Sequence, residues 1–284
     1  MRFALKTAPQ HTTWPDMLAV WQAADEIDLF ESAWTFDHFY PIHSDSTGPC
    51  LEGWVVTTAL AQATKRLRVG VLVTGMPYRH PAVLANMAAT LDIVSGGRLE
   101  LGIGAGWNEE EAGAYGIDLH STLRERFDAF DEGCEALIGL LTNETTTLHG
   151  NYVHLEAARC NPKPIQQPHP PICIGGGGER RTLRSVARFA QHWNFPGGSV
   201  EQFVAKRDVL RRHCDAIGRD PAEITTSTHL RPSGMGSSLN VGELVGMARG
   251  YADAGLDLGI VYLPVPHTPD ALDGIAAALA PLAG

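Results

Sequence analysis

The residues best suited to chemistry in this chain are four consecutive glycines, Gly175–Gly178. They follow a short apolar run, 172–174, and precede a stretch with helical periodicity. Glycines let backbone N–H groups approach a phosphate closely, and the dipole of a following helix favours negative charge there. The segment predicts a phosphate-binding turn, in which a β-branched residue at Gly177 would block the approach and adopt an unfavourable positive φ. A flexible glycine loop is the alternative.

Asp37 and His38 form a second candidate, directly after the apolar run 31–36. A histidine held at a strand end beside an acid is suited to proton transfer, so we predict His38 as the catalytic residue. A metal pair or a buried, hydrogen-bonded histidine is the alternative, but no HxH or HExxH spacing accompanies the pair, and no metal site is predicted. The glycine pattern over 102–106 is not a dinucleotide fingerprint, because Trp107 occupies the place of the third glycine.

Apolar runs of strand length alternate with helical patterns along the whole chain. The predicted strands cover 2–7, 31–36, 67–74, 98–104, 172–174, 192–195, 224–230 and 258–263. Eight strands alternating with helices predict an α/β fold, a (β/α)8 TIM barrel, and favour it over a doubly wound sheet. Nothing in the composition divides residues 1–284 into further domains. Active sites of such barrels lie at the C-terminal ends of the strands, so the glycines and polar residues found there should meet.

Between the fourth and fifth strands, apolar spacing predicts a helix over 123–141, capped by Ser121 or Thr122 with Glu125 in its first turn. An irregular insertion follows over 142–171. It contains a predicted hairpin of strands 145–148 and 152–155, and the prolines after it prevent a helix. An insertion of this length is either functional, for example a lid, or a surface excursion.

Composition excludes several classes of protein. The formal net charge of −10 argues against nucleic acid as a partner. Five widely spaced cysteines without a CxxC pair predict neither a disulfide framework nor a zinc site. The N-terminus has the pattern of a strand, and no apolar run approaches the roughly 20 residues of a membrane span. We therefore expect a cytoplasmic protein with reduced thiols and no membrane partner.

Several strings of residues carry a resemblance to a known family. Those similar to the bacterial luciferase-like monooxygenase superfamily are Val73-Thr74-Gly75, Tyr78-Arg79-His80-Pro81, Ser95-Gly96-Gly97-Arg98 and Gly102–Asn108; those similar to its deazaflavin branch are Ile174–Leu183 and Trp193-Asn194. The resemblance implies a luciferase-like TIM barrel, often a homodimer, that transfers a hydride between coenzyme F420 and a small-molecule substrate. The alternatives are an FMN-dependent monooxygenase, a non-catalytic flavin-binding protein and a metal-dependent barrel hydrolase.

Transferred by position, the resemblance implies that His38 stands at the reactive face of the deazaflavin and that a non-proline cis peptide, Val71–Leu72, lies behind the ring. It also implies that Asn108 hydrogen-bonds the cofactor and that Gly175–Gly178 hold its phosphate. The residues so assigned to the cofactor are Asp37, Val71, Leu72, Thr74, Ala105, Gly106, Trp107, Asn108, Gly175, Gly176, Gly177, Gly178, Glu179, Arg180 and Phe195. Sugar-phosphate dehydrogenases of this family carry a glutamate soon after the glycines of the fourth strand. Trp107 stands there in this chain, which argues against a sugar-phosphate substrate.

Overall fold

The computed structural model describes residues 1–42, 45–232 and 239–284. Its strands are β1 (Arg2–Lys6), β2 (Phe30–Thr35), β3 (Arg68–Val71), β4 (Thr74–Gly75), β5 (Leu99–Gly104), β6 (Thr146–His149), β7 (His154–Ala158), β8 (Ile172–Gly175), β9 (His192–Phe195), β10 (Thr225–Leu230) and β11 (Leu258–Tyr262). All except β6 and β7 form one parallel sheet in the order β3-β2-β1-β11-β10-β9-β8-β5-β4. Pairing of β3 with β5 closes this sheet into a barrel. Because β3 and β4 are two pieces of one barrel strand, the barrel has eight strand positions, and the predicted (β/α)8 fold is confirmed.

Helices surround this barrel on the outside. They are α1 (Trp14–Asp25), α2 (Gly53–Ala63), α3 (Pro81–Val94), α4 (Glu109–Ala114), α5 (Leu123–Thr142), α6 (Thr182–Phe189), α7 (Val200–Asp215), α8 (Val241–Asp253) and α9 (Leu272–Leu279). The predicted helix over 123–141 is confirmed as α5, and Thr122 and Glu125 form the capping box at its start. The short helix α4 was not predicted. Among the described residues, none of the helices is long and apolar enough to cross a membrane.

The third barrel strand differs from the prediction. The sequence predicts one run over 67–74, whereas the structure breaks it between β3 and β4. The non-proline cis peptide lies at Leu72–Val73 and not at Val71–Leu72, so the predicted bond is one residue too early. The break turns the backbone at the point where this strand reaches the C-terminal end of the barrel, and Leu72 and Val73 both face the cavity there.

The insertion over 142–171 contains the predicted hairpin with shifted bounds. Its strands are β6 and β7, which pair antiparallel with Leu148 opposite Leu155. The buried side chain of Leu155 packs into the main hydrophobic core, and Leu148 packs against that core from a partly buried position. The hairpin is thereby attached to the barrel through α5, the helix that precedes it.

The inside of the barrel is filled by side chains that point inward from its strands. An apolar cluster there consists of Ala4, Trp34, Leu72, Cys173, Leu258 and Ile260. A polar layer adjoins it, in which the His192 ring contacts Glu100 Oε2 at 3.2 Å and Ser227 Oγ at 2.6 Å. Burial disfavours the charged ring, but Cys173 and Glu100 beside it raise the pKa of His192 to about 10. The barrel is therefore solid, and an open site can exist only at its end.

Candidate active site

A cavity of about 820 Å³ opens at the C-terminal ends of the barrel strands. Every barrel strand, or the loop that follows it, contributes to its wall. The lining includes Lys6, Phe36, Asp37, His38, Leu72, Val73, Thr74, Gly75, Tyr78, Gly104, Ala105, Gly106, Trp107, Gly175, Gly176, Thr182, Asn194, Gly197, Gly198, His229, Arg231 and Tyr262. This is the position and the size class expected of a cofactor and substrate site in such a barrel.

His38 lies in the wall of this cavity and is held in place by a buried carboxylate. Its Nδ1 is 2.7 Å from Glu111 Oε2, and the Glu111 side chain is completely buried. The edge of the His38 ring also contacts the Trp107 ring, with 5.6 Å between centroids. A carboxylate can only accept a hydrogen bond, so Nδ1 carries hydrogen while Glu111 is ionised. That arrangement leaves Nε2 as the His38 atom able to exchange a proton.

Two further donors keep Glu111 in its charged form. The Phe39 N–H donates to Glu111 Oε1 at 2.6 Å, and the Tyr78 hydroxyl donates to Oε2. Burial alone would raise the pKa of Glu111, but its three hydrogen bonds together lower it below the usual value. Burial and the bond to Glu111 raise the pKa of Tyr78, so this phenol remains a donor. The result is a charged, immobile acceptor behind His38.

Glu111 reaches this position because Asn108 begins α4. The Asn108 side chain accepts the Glu111 N–H at 3.2 Å, as an N-cap does. The side-chain oxygen of Asn108 is used as the cap and the residue lies outside the cavity lining, so a hydrogen bond from Asn108 to a cofactor stays a prediction. Asn108 followed by Glu109, Glu110 and Glu111 is a helix-start signal that could have revealed α4. Its partner His38 lies 73 residues away in sequence, so the contact itself had no local signal.

Asp37 also lines the cavity, but its carboxylate is already bound. Arg79 makes two hydrogen bonds to it, at 2.6 and 2.9 Å, and the Gly75 N–H donates at 3.1 Å. Arg79 Nη2 also lies 3.2 Å from Glu52 Oε1 and forms a second ion pair there. Asp37 therefore connects the end of β2 to the loop after β4 and positions the wall on which a cofactor would lie.

The glycine turn contributes Gly175 and Gly176 to the cavity, together with Thr182 at the start of α6. Gly176 has φ +129°, and a Cβ added there would stand 3.0 Å from Thr182 Cγ2. The sequence prediction placed the positive φ at Gly177, and this is wrong: the positive φ lies one residue earlier, at Gly176. The turn thus presents a backbone surface that a side chain would fill.

The basic run after the glycines is used for ion pairs with α5. Arg181 pairs with Asp128, and Arg184 Nη2 lies 3.0 Å from Asp131. Both side chains are therefore paired with carboxylates. They fix α6 against α5 below the glycine turn.

Some residues predicted to bind the cofactor lie outside the cavity lining. Val71 is buried within β3, and Phe195 packs beside Trp193 and Phe203. Glu179 pairs with Lys206 on α7 at 2.8 Å. The predicted site residues that the structure brings together are Asp37, His38, Leu72, Thr74, Ala105, Gly106, Trp107, Gly175 and Gly176; those outside the lining are Val71, Asn108, Gly177, Gly178, Glu179, Arg180 and Phe195.

The wall at the ends of β1 and β10 carries three basic side chains, Lys6, His229 and Arg231, which we call the basic cluster. Lys6 Nζ donates to Leu72 O at 2.8 Å and lies 3.4 Å from His229 Nε2. Lys6 Nζ and the Arg231 guanidinium lie 5.4 and 5.1 Å from the centroid of the Tyr262 ring. Burial and the charge of Arg231 lower the pKa of Lys6 to about 7, although Cys173 opposes the shift. Sequence reading assigned no role to Lys6, because one lysine at the end of a first strand carries no motif.

Within residues 1–42, 45–232 and 239–284, no group of three histidine, cysteine, aspartate or glutamate side chains is placed to hold a metal ion. The described part of the cavity therefore offers glycine backbone, a positioned histidine and a basic cluster. This combination suits an organic ligand with an anionic part, with proton transfer at one wall.

The chain shares recognisable sequence with characterised oxidoreductases. The FMNH2-dependent dimethylsulfone monooxygenase of Pseudomonas putida is 33% identical over 168 residues, which are 59% of this chain and 45% of that protein. The F420-dependent glucose-6-phosphate dehydrogenase of Amycolatopsis mediterranei is 33% identical over 156 residues, which are 54% of this chain and 45% of that protein. The chain spans about half the length of these curated relatives.

The barrel also superimposes on solved structures. An F420-dependent secondary alcohol dehydrogenase, solved with an F420-acetone adduct, matches with a TM-score of 0.86 and 17% identity, covering 100% of this chain and 99% of that one. At this identity the likeness establishes the fold. The profile of the luciferase-like monooxygenase family matches residues 1–233. The chain belongs to the luciferase-like monooxygenase family, a family of oxidoreductases.

Proposed function

We propose that this protein is a coenzyme F420-dependent oxidoreductase, which transfers a hydride between the deazaflavin and a small organic substrate. The observation that carries the proposal is the His38–Glu111 pair at the wall of the strand-end cavity. Hydride addition to a carbonyl carbon requires one proton at the carbonyl oxygen. A histidine fixed by a buried carboxylate is suited to supply that proton.

The cavity fits a cofactor with a flat ring and a phosphate. A Cβ at Gly104 would stand 2.8 Å from Val73 Cγ2, and one at Gly176 would stand 3.0 Å from Thr182 Cγ2, so neither position has room for a side chain and both present backbone to the cavity. Gly175, Gly176 and Thr182 would hold the phosphate at the turn before α6. Leu72, Val73 and Thr74 would support the ring from one side.

The residues of this chain then have separable tasks. When bound, the deazaflavin would supply the hydride. His38 would hold or donate a proton at Nε2, and Glu111 would fix the orientation of the ring. Trp107, whose side chain is 63% exposed, would cover the ring edge of His38 at the mouth of the cavity. Asp37 and Arg79 would maintain the strand ends on which the cofactor rests.

The activity is tested by an anaerobic assay. The protein is mixed with reduced F420 and a panel of small aldehydes and ketones, and the visible absorbance of the oxidised cofactor is followed. We expect substrate-dependent oxidation of the cofactor without oxygen. Oxygen uptake coupled to substrate oxygenation with reduced FMN, and no reaction with reduced F420, would overturn the proposal.

The second candidate is an FMN-dependent monooxygenase, and the similarity to the dimethylsulfone enzyme supports it. Both cofactors carry a tricyclic ring and a phosphate, so the glycine turn and the wall at Leu72–Thr74 suit either. The two candidates differ in whether oxygen takes part, which the assay measures.

Substitution of the glycine turn should weaken cofactor binding. In Gly176→Ala, the alanine backbone must adopt φ +129°, which L-residues rarely do. Its methyl group would also stand 3.0 Å from Thr182 Cγ2. We expect F420 affinity to fall about tenfold or more, because strain of roughly 1–3 kcal/mol at this position displaces the backbone donors. Titration of tryptophan fluorescence gives the dissociation constants.

Gly177→Ala is the matched control for strain. A Cβ there has its nearest contact at 3.8 Å, with Phe195, and the backbone φ is not in the left-handed region. This variant should keep wild-type stability. If Gly176→Ala is folded and binds F420 as tightly as wild type, the phosphate is not held by this turn.

A further inference from the structure

The basic cluster of Lys6, His229 and Arg231 has no task in the proposed hydride transfer. We infer that it is an anion subsite that selects substrates bearing a carboxylate or a similarly compact negative group. The inference rests on the proposed function in one respect only: it names the substrate class for that same cavity. It follows from the placement, charge and surroundings of these three side chains.

The first step is the charge balance of the cavity. The whole chain has a formal net charge of −10, yet one wall of its cavity collects two cationic side chains and a histidine. Across the described parts of the chain, no carboxylate lies within 4.0 Å of Lys6 Nζ or of the Arg231 guanidinium. Asp37 is the one acidic residue in the described lining, and Arg79 already binds it. This wall therefore presents positive charge that an anion from outside would balance.

The second step is the cost of keeping Lys6 there. Its side chain is buried at the barrel end, and its described polar neighbours are Leu72 O and the His229 ring. Removing an ammonium group from water without a counter-ion is expensive, so a ligand that supplies one gains a strong, charge-assisted hydrogen bond.

The subsite borders the part of the cavity that is proposed to hold the cofactor. The residues proposed to hold the cofactor lie between β3 and β4, at the start of β4, and from the end of β8 to the start of α6. The basic cluster stands on β1 and β10 and in the loop after β10, and β1 lies between β2 and β11 in the ring of strands. Lys6 connects the two parts of the cavity through Leu72 O. A substrate whose anionic group binds the cluster would thus extend toward the wall that carries His38.

The test uses cofactor-free protein and two isosteric probes, benzoate and benzamide, which differ in charge. Dissociation constants are measured by calorimetry for wild type and for Lys6→Met. At pH 6 we expect wild type to bind benzoate about tenfold or more tightly than benzamide, and Lys6→Met to lose this preference. Arg231→Met should reduce it as well. Because the Arg231 side chain is exposed, we expect Arg231→Met to remain folded. It therefore serves as the test if Lys6→Met does not fold.

The pH dependence adds an independent readout. The titratable and charged groups around Lys6 are Arg231, His229, Tyr262 and Cys173. Since the pKa of Lys6 lies at about 7, the amine is protonated below that pH and loses its charge above it. The preference for benzoate should therefore decline from pH 6 to pH 9. In Lys6→Met it should change far less over this range.

Lys65→Met, at an exposed lysine outside the cavity, is the charge-matched control and should behave as wild type. Equal or undetectable binding of both probes by wild type would overturn the inference, as would an unchanged preference in folded Lys6→Met. A second arm titrates Lys6→Met with F420. Loss of F420 affinity as large as the loss of benzoate affinity would assign the cluster to the cofactor instead. Because the benzoate arm contains no cofactor, its result stands even if the enzyme proves to use FMN.

Discussion

Replacing His38 with alanine should lower turnover by about 10²–10⁴-fold, the range typical of a lost general acid or base. Affinity for the cofactor should change little, because the His38 imidazole is proposed to act on the substrate proton. The pH dependence contributed by the imidazole should disappear in the same variant. Steady-state kinetics with reduced F420 across pH, combined with cofactor titration, measure both quantities.

Glu111→Gln tests the partner of His38. A glutamine cannot offer a charged acceptor to Nδ1, so the ring is less well oriented. Turnover should fall by about 10-fold or more, a smaller loss than for His38→Ala. Glu110→Gln, at the neighbouring exposed carboxylate, is the matched control and should retain wild-type rates.

Full turnover with lost cofactor affinity in His38→Ala would make His38 a binding residue and refute its catalytic role.

The largest expected effect on stability is at Gly102. A Cβ added there would stand 2.0 Å from Val71 O, a backbone atom of the adjoining barrel strand. Neither strand can shift easily to make room for the methyl group, because both belong to the closed sheet and are packed on both faces. Gly102→Ala should therefore lower the free energy of unfolding by at least about 3 kcal/mol, or prevent accumulation of folded protein. Urea unfolding followed by circular dichroism measures the change.

Gly246→Ala is the control for that substitution. Gly246 lies within α8, and an added Cβ meets nothing within 4 Å. The alanine should stabilise the protein by roughly 0.5–1 kcal/mol, because it restricts the unfolded chain. A Gly102→Ala protein within about 1 kcal/mol of wild type would show that the barrel relaxes around the methyl group, contrary to the packing argument.

The barrel was predictable because its strands are buried on both faces. Their sequences are therefore mostly apolar over the length of a strand. The strand β5, for example, is buried at all six positions, and its predicted bounds were wrong by one residue. Helix α5 was predictable for a different reason, since Thr122 and Glu125 mark its start and its apolar spacing is regular. Helix α4 has six residues, too few for periodicity, and only its cap and acidic first turn could indicate it.

The site was predictable in part. The loops after β2, β5 and β8 carry glycines, an aspartate–histidine pair and a tryptophan, and the barrel rule brings such residues together. Glu111 and Lys6 could not be inferred in this way. The role of Glu111 depends on a contact with a residue 73 positions away, and the role of Lys6 depends on which residues neighbour it across β10 and β11. The break at Leu72–Val73 was placed one residue early because the exact position depends on packing against β5.

The central claim, that the strand-end cavity is built for a deazaflavin, is tested most directly by competition. Cofactor-free protein is equilibrated with equal concentrations of F420 and FMN, separated from free ligand, and denatured, and the released cofactors are quantified. We predict that F420 is bound in at least tenfold excess over FMN, and that Gly176→Ala reduces the amount bound. An excess of FMN under the same conditions would contradict the claim and assign the protein to the flavin-dependent monooxygenases.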